Sequence, residues 1–284
     1  MKRNRKNRLW PLVLMVMISY LAVASPKPAS ASDANTVLVT AVPLGTLSVA
    51  GMAAAGYLLY KNRLSQPVDA KGRLGYRGPG EFFIGGFFGG SFVPGTDWTY
   101  QGGQDTTARN MTIDPGVTGG IKLGYFLDRV PYFGVEAESS FGNHPQPSQT
   151  VALHPPLAGG VTTGRVPSQT LMVWTVAFHL VGRYGFLPDH EVPFGRLQPY
   201  VGIGPGLVVL YGAEDSAKNF SLEVEAGLRY MFTKHLGGFL EYKFSKQWSA
   251  ELDTQHLVSA TFPASNAVFG FDRHQVVVGL AYHF

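Results

Sequence analysis

Residues 220 to 232 constrain this chain more than any other stretch. Phe220, Leu222, Val224, Ala226, Leu228, Tyr230 and Phe232 fall on one face of an extended strand, and Ser221, Glu223, Glu225, Gly227, Arg229 and Met231 on the other. Side chains of a strand alternate between two faces, so one face here is wholly apolar and the other is small or charged. In a soluble sandwich the apolar face would point inward. In a membrane barrel it points out to lipid, and the crowded lumen takes the small and polar residues. The last ten residues repeat the pattern, with Val276, Val278, Leu280, Tyr282 and Phe284 opposed to Gln275, Val277, Gly279, Ala281 and His283.

Eight segments carry this period at about ten residues or more, the length a tilted strand needs to cross a bilayer. They are Glu81–Phe92, Gly119–Leu127, Pro131–Phe141, Thr170–Gly185, Leu197–Tyr211, Phe220–Phe232, Gly237–Lys246 and Gln275–Phe284. The first is poorly phased, because Phe82, Phe83, Phe87 and Phe88 load both faces. Long links fall at 93–118, 142–169 and 247–274, and very short ones at 128–130 and 233–236. Long loops at one end and tight turns at the other are the asymmetry of an outer-membrane barrel. The expected fold is therefore all-β, an eight-stranded antiparallel transmembrane barrel over residues 81–284 with both ends on the short-turn side. The glycines at 202, 204 and 206 read as small positions in a narrow barrel. They lack the spacing of a dinucleotide loop, and Pro205 would break the helix such a loop needs.

The chain before Glu81 has a different character. Residues 1–31 combine basic residues up to Arg8, an apolar run from Leu9 to Ala24 and the small-x-small triplet Ala29-Ser30-Ala31, a signal peptide cleaved after Ala31, with Ala24 as the second choice. The formal net charge of +4 belongs to this leader. Beyond it 17 basic residues face 19 acidic ones, which excludes a nucleic-acid-binding reading. Residues 32–80 contain an uncharged run, Val37–Tyr60, and a Gly/Pro-rich linker. The run is long enough to span a bilayer as a helix, yet Pro43, Gly45, Gly51 and Gly56 soften it. Three readings stay open: a marginal segment lying on or under the barrel, an inner-membrane anchor, or a helix pairing through Ala50/Ala54 and Gly51/Ala55. The chain has no cysteine, consistent with export without disulfide chemistry.

Several runs in order carry a family resemblance: Leu123-Gly-Tyr-Phe-Leu127, Tyr132-Phe-Gly-Val-Glu-Ala-Glu138, Pro199-Tyr-Val-Gly-Ile-Gly204, Gly227-Leu-Arg-Tyr230, Phe239-Leu-Glu-Tyr-Lys-Phe244 and Val278-Gly-Leu-Ala-Tyr-His-Phe284. Residues 81–284 resemble the small outer-membrane barrel domains of the OmpA/OmpX/opacity-protein type. The resemblance implies location in the outer membrane of a Gram-negative bacterium. It also implies that Leu280, Tyr282 and Phe284 form the C-terminal signal read by the barrel-insertion machinery. Outer-membrane lipids and lipopolysaccharide are then the expected partners, together with a possible extracellular ligand at the long loops. The family includes adhesins, envelope-structural proteins and lipid-modifying enzymes, so fold alone does not choose an activity.

The lumen-facing parity gathers Glu136, Glu138, Glu223, Glu225 and Glu241 with Lys122, Arg183, Arg229 and Lys243. Five acids against four bases suggest an ion-paired plug, because unpaired buried charges are costly; a selective channel would carry an excess of one sign. Lipid A deacylases of barrel form carry a His-x-Ser motif after an aromatic strand, whereas here Glu241 to Trp248 contains no histidine. His256 and Ser259 are the nearest pair and have the wrong spacing for one strand face. The eight histidines show no zinc-like spacing, and His179 reads as a hydrogen-bonding lumen residue. No catalytic, metal or cofactor site is expected. The favoured role is structural or surface-interactive, with a lipid-modifying enzyme, a narrow channel or an inner-membrane-anchored β protein as alternatives. Trp98, Tyr100, Trp174, Tyr184, Tyr230, Tyr242 and Trp248 supply candidates for interfacial aromatic girdles, and the long loops read as exposed, mobile surface.

Overall fold

The computed structural model describes residues 81–101, 105–127, 130–213, 215–255 and 265–284. The predicted signal peptide, the Val37–Tyr60 segment, the linker, His256 and Ser259 lie outside them. Fourteen strands are described: β1 (Glu81–Phe92), β2 (Thr96–Gln101), β3 (Thr106–Met111), β4 (Gly116–Phe126), β5 (Phe133–Gln146), β6 (Gln149–Leu157), β7 (Val161–Val166), β8 (Gln169–Arg183), β9 (Leu197–Tyr211), β10 (Ser216–Met231), β11 (Leu236–Gln247), β12 (Ala250–Gln255), β13 (Ser265–Phe269) and β14 (Arg273–His283).

Eight of them close a barrel in the order β1-β14-β11-β10-β9-β8-β5-β4, with β4 paired back onto β1. These are the eight segments read from the period. β1 and β9 have the expected limits, and the others differ by a few residues at either end. Closure leaves no free strand edge in the barrel. Neighbours pair antiparallel in long registers, for instance Phe83↔His283 to Phe92↔His274 between β1 and β14. The ambiguous first strand is settled by this pairing. Phe83 and Phe87 are buried inside, while Phe88 and Phe92 are exposed outside. Outward positions on the other strands form an apolar exposed band that includes Leu180, Val201, Ile203, Leu228, Leu240, Val278 and Leu280.

The interior is filled by pairing small with large. A Cβ on Gly227 would lie 2.5 Å from the Tyr200 ring, and one on Gly202 would lie 2.6 Å from Glu225 Oε1. Glycine at these two positions lets a phenol and a carboxylate cross so narrow a lumen.

The long links depart from expectation. Their described residues form strands: β2–β3, β6–β7 and β12–β13 pair and join in one six-stranded sheet, β12-β13-β2-β3-β6-β7. Trp98 and Tyr100, candidates for the aromatic girdle, are instead buried in the core of this sheet. Trp98 stacks on Phe269 with centroids 3.9 Å apart, and Met111, Leu153, Leu157 and Phe271 pack around them. The same core includes Leu171 and Val173 of β8 and Val208 and Leu210 of β9. The inner face of β8 thus changes from Arg183, His179 and Thr175 to Val173 and Leu171 toward the long-loop rim. That change gives the sheet an apolar seat, so the loops fold over the mouth.

The link between β8 and β9 is long for a turn, and it is tied down. Asp189 accepts hydrogen bonds from the backbone N–H groups of Glu191 and Val192. Arg196 pairs with Asp189 and, at 2.9 Å, with Glu191, and it donates at 2.8 Å to the carbonyl of Phe232 in the next turn. The Val192 N–H and the Arg196 guanidinium hold Asp189 below the usual aspartate range. The Lys234 N–H and the same guanidinium do likewise for Glu191. Groups with depressed values hold this clasp at neutral pH and release it as pH falls through their folded values. Arg196→Ala is therefore expected to speed proteolysis within 184–196 at pH 7. Acidification below the normal carboxylate range should abolish the difference from wild type. Equal cleavage of the two proteins at pH 7 would refute the clasp.

Candidate functional site

The lumen holds the densest chemistry of the described residues, and strand parity builds it. Lys122 on β4 projects inward from beside Gly120 and Gly124, and its Nζ meets four carboxylates. The distances are 2.8 Å to Glu241, 2.9 Å to Glu136, 3.3 Å to Glu225 and 3.6 Å to Glu138. Lys243 pairs with Glu138 and lies 3.7 Å from Glu241. Tyr200 donates a 2.5 Å hydrogen bond to Glu241, and His179 Nδ1 sits 3.7 Å from Glu136. All these side chains are almost fully buried.

Two further layers flank this centre. Toward the short-turn rim Arg183 forks onto Glu81 at 2.6 Å and 3.1 Å, and His283 Nδ1 meets the same carboxylate at 2.5 Å. Arg229 joins no ion pair within 4 Å among the described residues. Its guanidinium instead lies over Phe83 at 4.4 Å and Tyr200 at 5.2 Å. Toward the long-loop rim Glu223 accepts hydrogen bonds from Ser221 and Ser245, each at 2.6 Å. Arg273 donates to Thr175 at 2.6 Å, and above it His144 meets Ser91 at 3.1 Å and the edge of Phe271.

Of the nine residues gathered from parity, Lys122, Glu136, Glu138, Glu225, Glu241 and Lys243 therefore meet in one cluster. Arg183, Arg229 and Glu223 stand apart from it. Glu81, Arg273, His179 and His283 complete the layers. Glu81 and Arg273 sit at strand ends, where parity is least secure, although each has the parity of its lumen-facing neighbours.

The central cluster also places one ligand-capable atom each from Glu136, Glu138, His179 and Glu225 within 4.8 Å of one another. A cation already stands among three of these four, since the Lys122 ammonium bonds or pairs with each of the glutamates. The arrangement suits charge neutralisation inside a low-dielectric wall.

Outside, Leu280 and Tyr282 are exposed and Phe284 is half-buried, its ring 5.1 Å from that of Tyr282. Tyr184, Tyr230, Tyr242 and Trp248 are exposed on the outer wall.

A closed eight-stranded barrel with an apolar outer band and a charged, filled lumen defines a transmembrane protein of the bacterial outer membrane. The chain belongs to the outer membrane protein β-barrel domain family, whose model matches residues 21–284. Among solved structures, it is similar to the outer membrane protein OprG from Pseudomonas aeruginosa. Identity is 16%, covering 72% of this chain and 96% of that one, with a TM-score of 0.48. It is also similar to Neisserial surface protein A at 10% identity, 72% and 97% coverage and a TM-score of 0.39. The attachment invasion locus protein Ail of Yersinia pestis gives 12% identity, 72% and 99% coverage and a TM-score of 0.37. A search of curated proteins finds no match.

Proposed function

We propose that this protein is a sealed outer-membrane barrel with a structural and cell-surface interaction role and without catalysis. The reading rests above all on the Lys122 cluster, in which four carboxylates and two ammonium groups occupy the middle of the lumen. Side chains can fill so narrow a barrel, and ion pairs crossing it leave no continuous aqueous path. The six-stranded sheet folded over the mouth supports the same view and adds a stable platform at the cell surface. Its outward residues, among them Asp97, Arg109, Thr150, Arg165 and Glu251, are polar and exposed. In this reading Leu280, Tyr282 and Phe284 serve assembly by the insertion machinery, and the aromatic and apolar outer wall contacts outer-membrane lipids and lipopolysaccharide.

Reconstitution into planar bilayers tests the proposal. The heat-modifiable protein is expected to add no steady conductance above the lipid baseline. Replacing the 149–166 hairpin by a short Gly-Ser turn should leave heat modifiability intact while reducing attachment of expressing cells to surfaces. A stable, ion-selective conductance would replace this reading with that of a channel. Unchanged attachment would remove the platform.

A further inference from the structure

The imidazole of His179 is poorly served by its neighbours. It is 2% exposed on the lumen face of β8, and neither ring nitrogen has a hydrogen-bond partner among the described residues. Its Nδ1 is aimed at carboxylates, 3.7 Å from Glu136 and 3.9 Å from Glu225. Those distances are too long for hydrogen bonds. What joins an imidazole to several carboxylates at such a spacing is a positive centre between them.

The charges at this level ask for the same thing. Glu136, Glu138, Glu225 and Glu241 face Lys122 and Lys243, four negative charges against two positive. Arg229 lies among aromatic rings and Arg273 donates to Thr175, so each belongs to another layer. Lys122 is drawn to one side, since its ammonium donates to both oxygens of Glu241, at 2.8 Å and 3.0 Å. Glu136 Oε2 and Glu225 Oε1 are buried without a hydrogen-bond partner.

The glycine column of β9 clears the space. A Cβ on Gly202 would lie 2.6 Å from Glu225 Oε1, and one on Gly204 would lie 3.1 Å from the His179 Cα. Because these two positions carry no side chain, His179 of β8 and Glu225 of β10 approach across the strand between them. Glu136 is the cross-strand partner of His179, and Glu138 follows two residues along β5.

We propose that Glu136, Glu138, His179 and Glu225 bind one divalent transition-metal ion of the manganese-to-zinc group. Their ligand-capable atoms lie within 4.8 Å of one another. Bonds of about 2.0–2.2 Å need opposite donors about 4.4 Å apart, a closure of a few tenths of an ångström. The imidazole disfavours calcium and magnesium, and three carboxylates disfavour a soft ion such as copper(I). The ion cancels the two remaining negative charges, leaves Lys122 to Glu241 and ties β5, β8 and β10 together across the lumen. It enters while the barrel closes; that route, unlike the site, rests on the sealed-lumen reading.

Metal retention by the full chain tests this. The protein is folded in detergent with zinc or with EDTA, stripped of loose metal on a chelating resin, and assayed by elemental analysis. Heat-modifiable wild type is expected to keep about one zinc per chain, in tetrahedral or five-coordinate nitrogen and oxygen surroundings by X-ray absorption. His179→Ala, and independently Glu225→Gln, should lower retention more than about tenfold, as the loss of a direct ligand requires. Zinc should also raise the urea midpoint of wild type and leave that of His179→Ala unmoved. Wild type that folds and keeps neither zinc, manganese nor iron would overturn the proposal, and this arm does not depend on any variant folding. Equal retention by wild type and a folded His179→Ala would place the metal elsewhere and overturn it as well. Bilayer conductance is read separately, so failure here and failure of the sealed-barrel reading are distinguishable.

Discussion

Lys122→Met is expected to lower the stability of the folded barrel by about 3–5 kcal/mol, the cost of stranding buried charges whose partner has gone. The substitution keeps the length and most of the volume of the side chain. What it removes is the ammonium at 2.8–3.6 Å from Glu241, Glu136, Glu225 and Glu138. Four carboxylates then share a dry space, with Lys243 near two of them. The readout is the urea midpoint for loss of the fast-migrating, unboiled form in liposomes. Neutralising the orphaned partners separates charge from shape: Lys122→Met with Glu136→Gln and Glu241→Gln should recover much of the loss. A single mutant with the wild-type midpoint would show that the cluster is solvated and that the lumen is open to water. Such a result would weaken the sealed-barrel proposal as well.

The second large effect is expected outside the barrel. Trp98→Ala should unfold the loop sheet while leaving the barrel intact, with a cost of about 3–5 kcal/mol for truncating a fully buried aromatic. Trp98 is completely buried and stacks on Phe269, so it links β2 to β13 and both to the apolar seat on β8 and β9. Protease added to intact cells should cut the variant within 93–115 and 147–168, where wild type resists. Unboiled mobility should not change, because the barrel strands close on themselves without the sheet. Thr99→Ala, which removes only the 3.2 Å contact between Thr99 and Thr107 hydroxyls on the outer face, should remain within about 0.5 kcal/mol of wild type. Equal protease sensitivity of wild type and Trp98→Ala would mean that the loops do not hold together in the membrane-embedded protein.

Much of the barrel is legible in the chain because each of its strands lies between two unlike environments for ten residues or more. A period of two must then persist, as in Phe220–Phe232, and a one-residue slip would put glutamates into lipid. The loop strands escape such reading for a physical reason. They are short, β6 contains Pro155 and Pro156, and the face they bury is defined by residues more than a hundred positions away. Their signal exists, in the alternation Trp98/Tyr100, Val151/Leu153 and Ala267/Phe269/Phe271, but five or six residues do not separate a strand from a polar loop.

The sequence by itself determined which side chains share a face along the well-phased strands, since parity along a strand is local; β1, where Phe82, Phe83, Phe87 and Phe88 load both faces, had to wait for its pairing. It could not say which of them meet. Lys122 and Glu241 are 119 positions apart and come together because the sheet closes and the strands tilt. Nor could it say that Arg229 would rest among aromatic rings while Arg183 found Glu81. The tertiary structure alone decided that strands from three separated loops share one core, and that the core is seated on the rim of β8 and β9. Both outcomes depend on curvature and closure, and no single strand contains either.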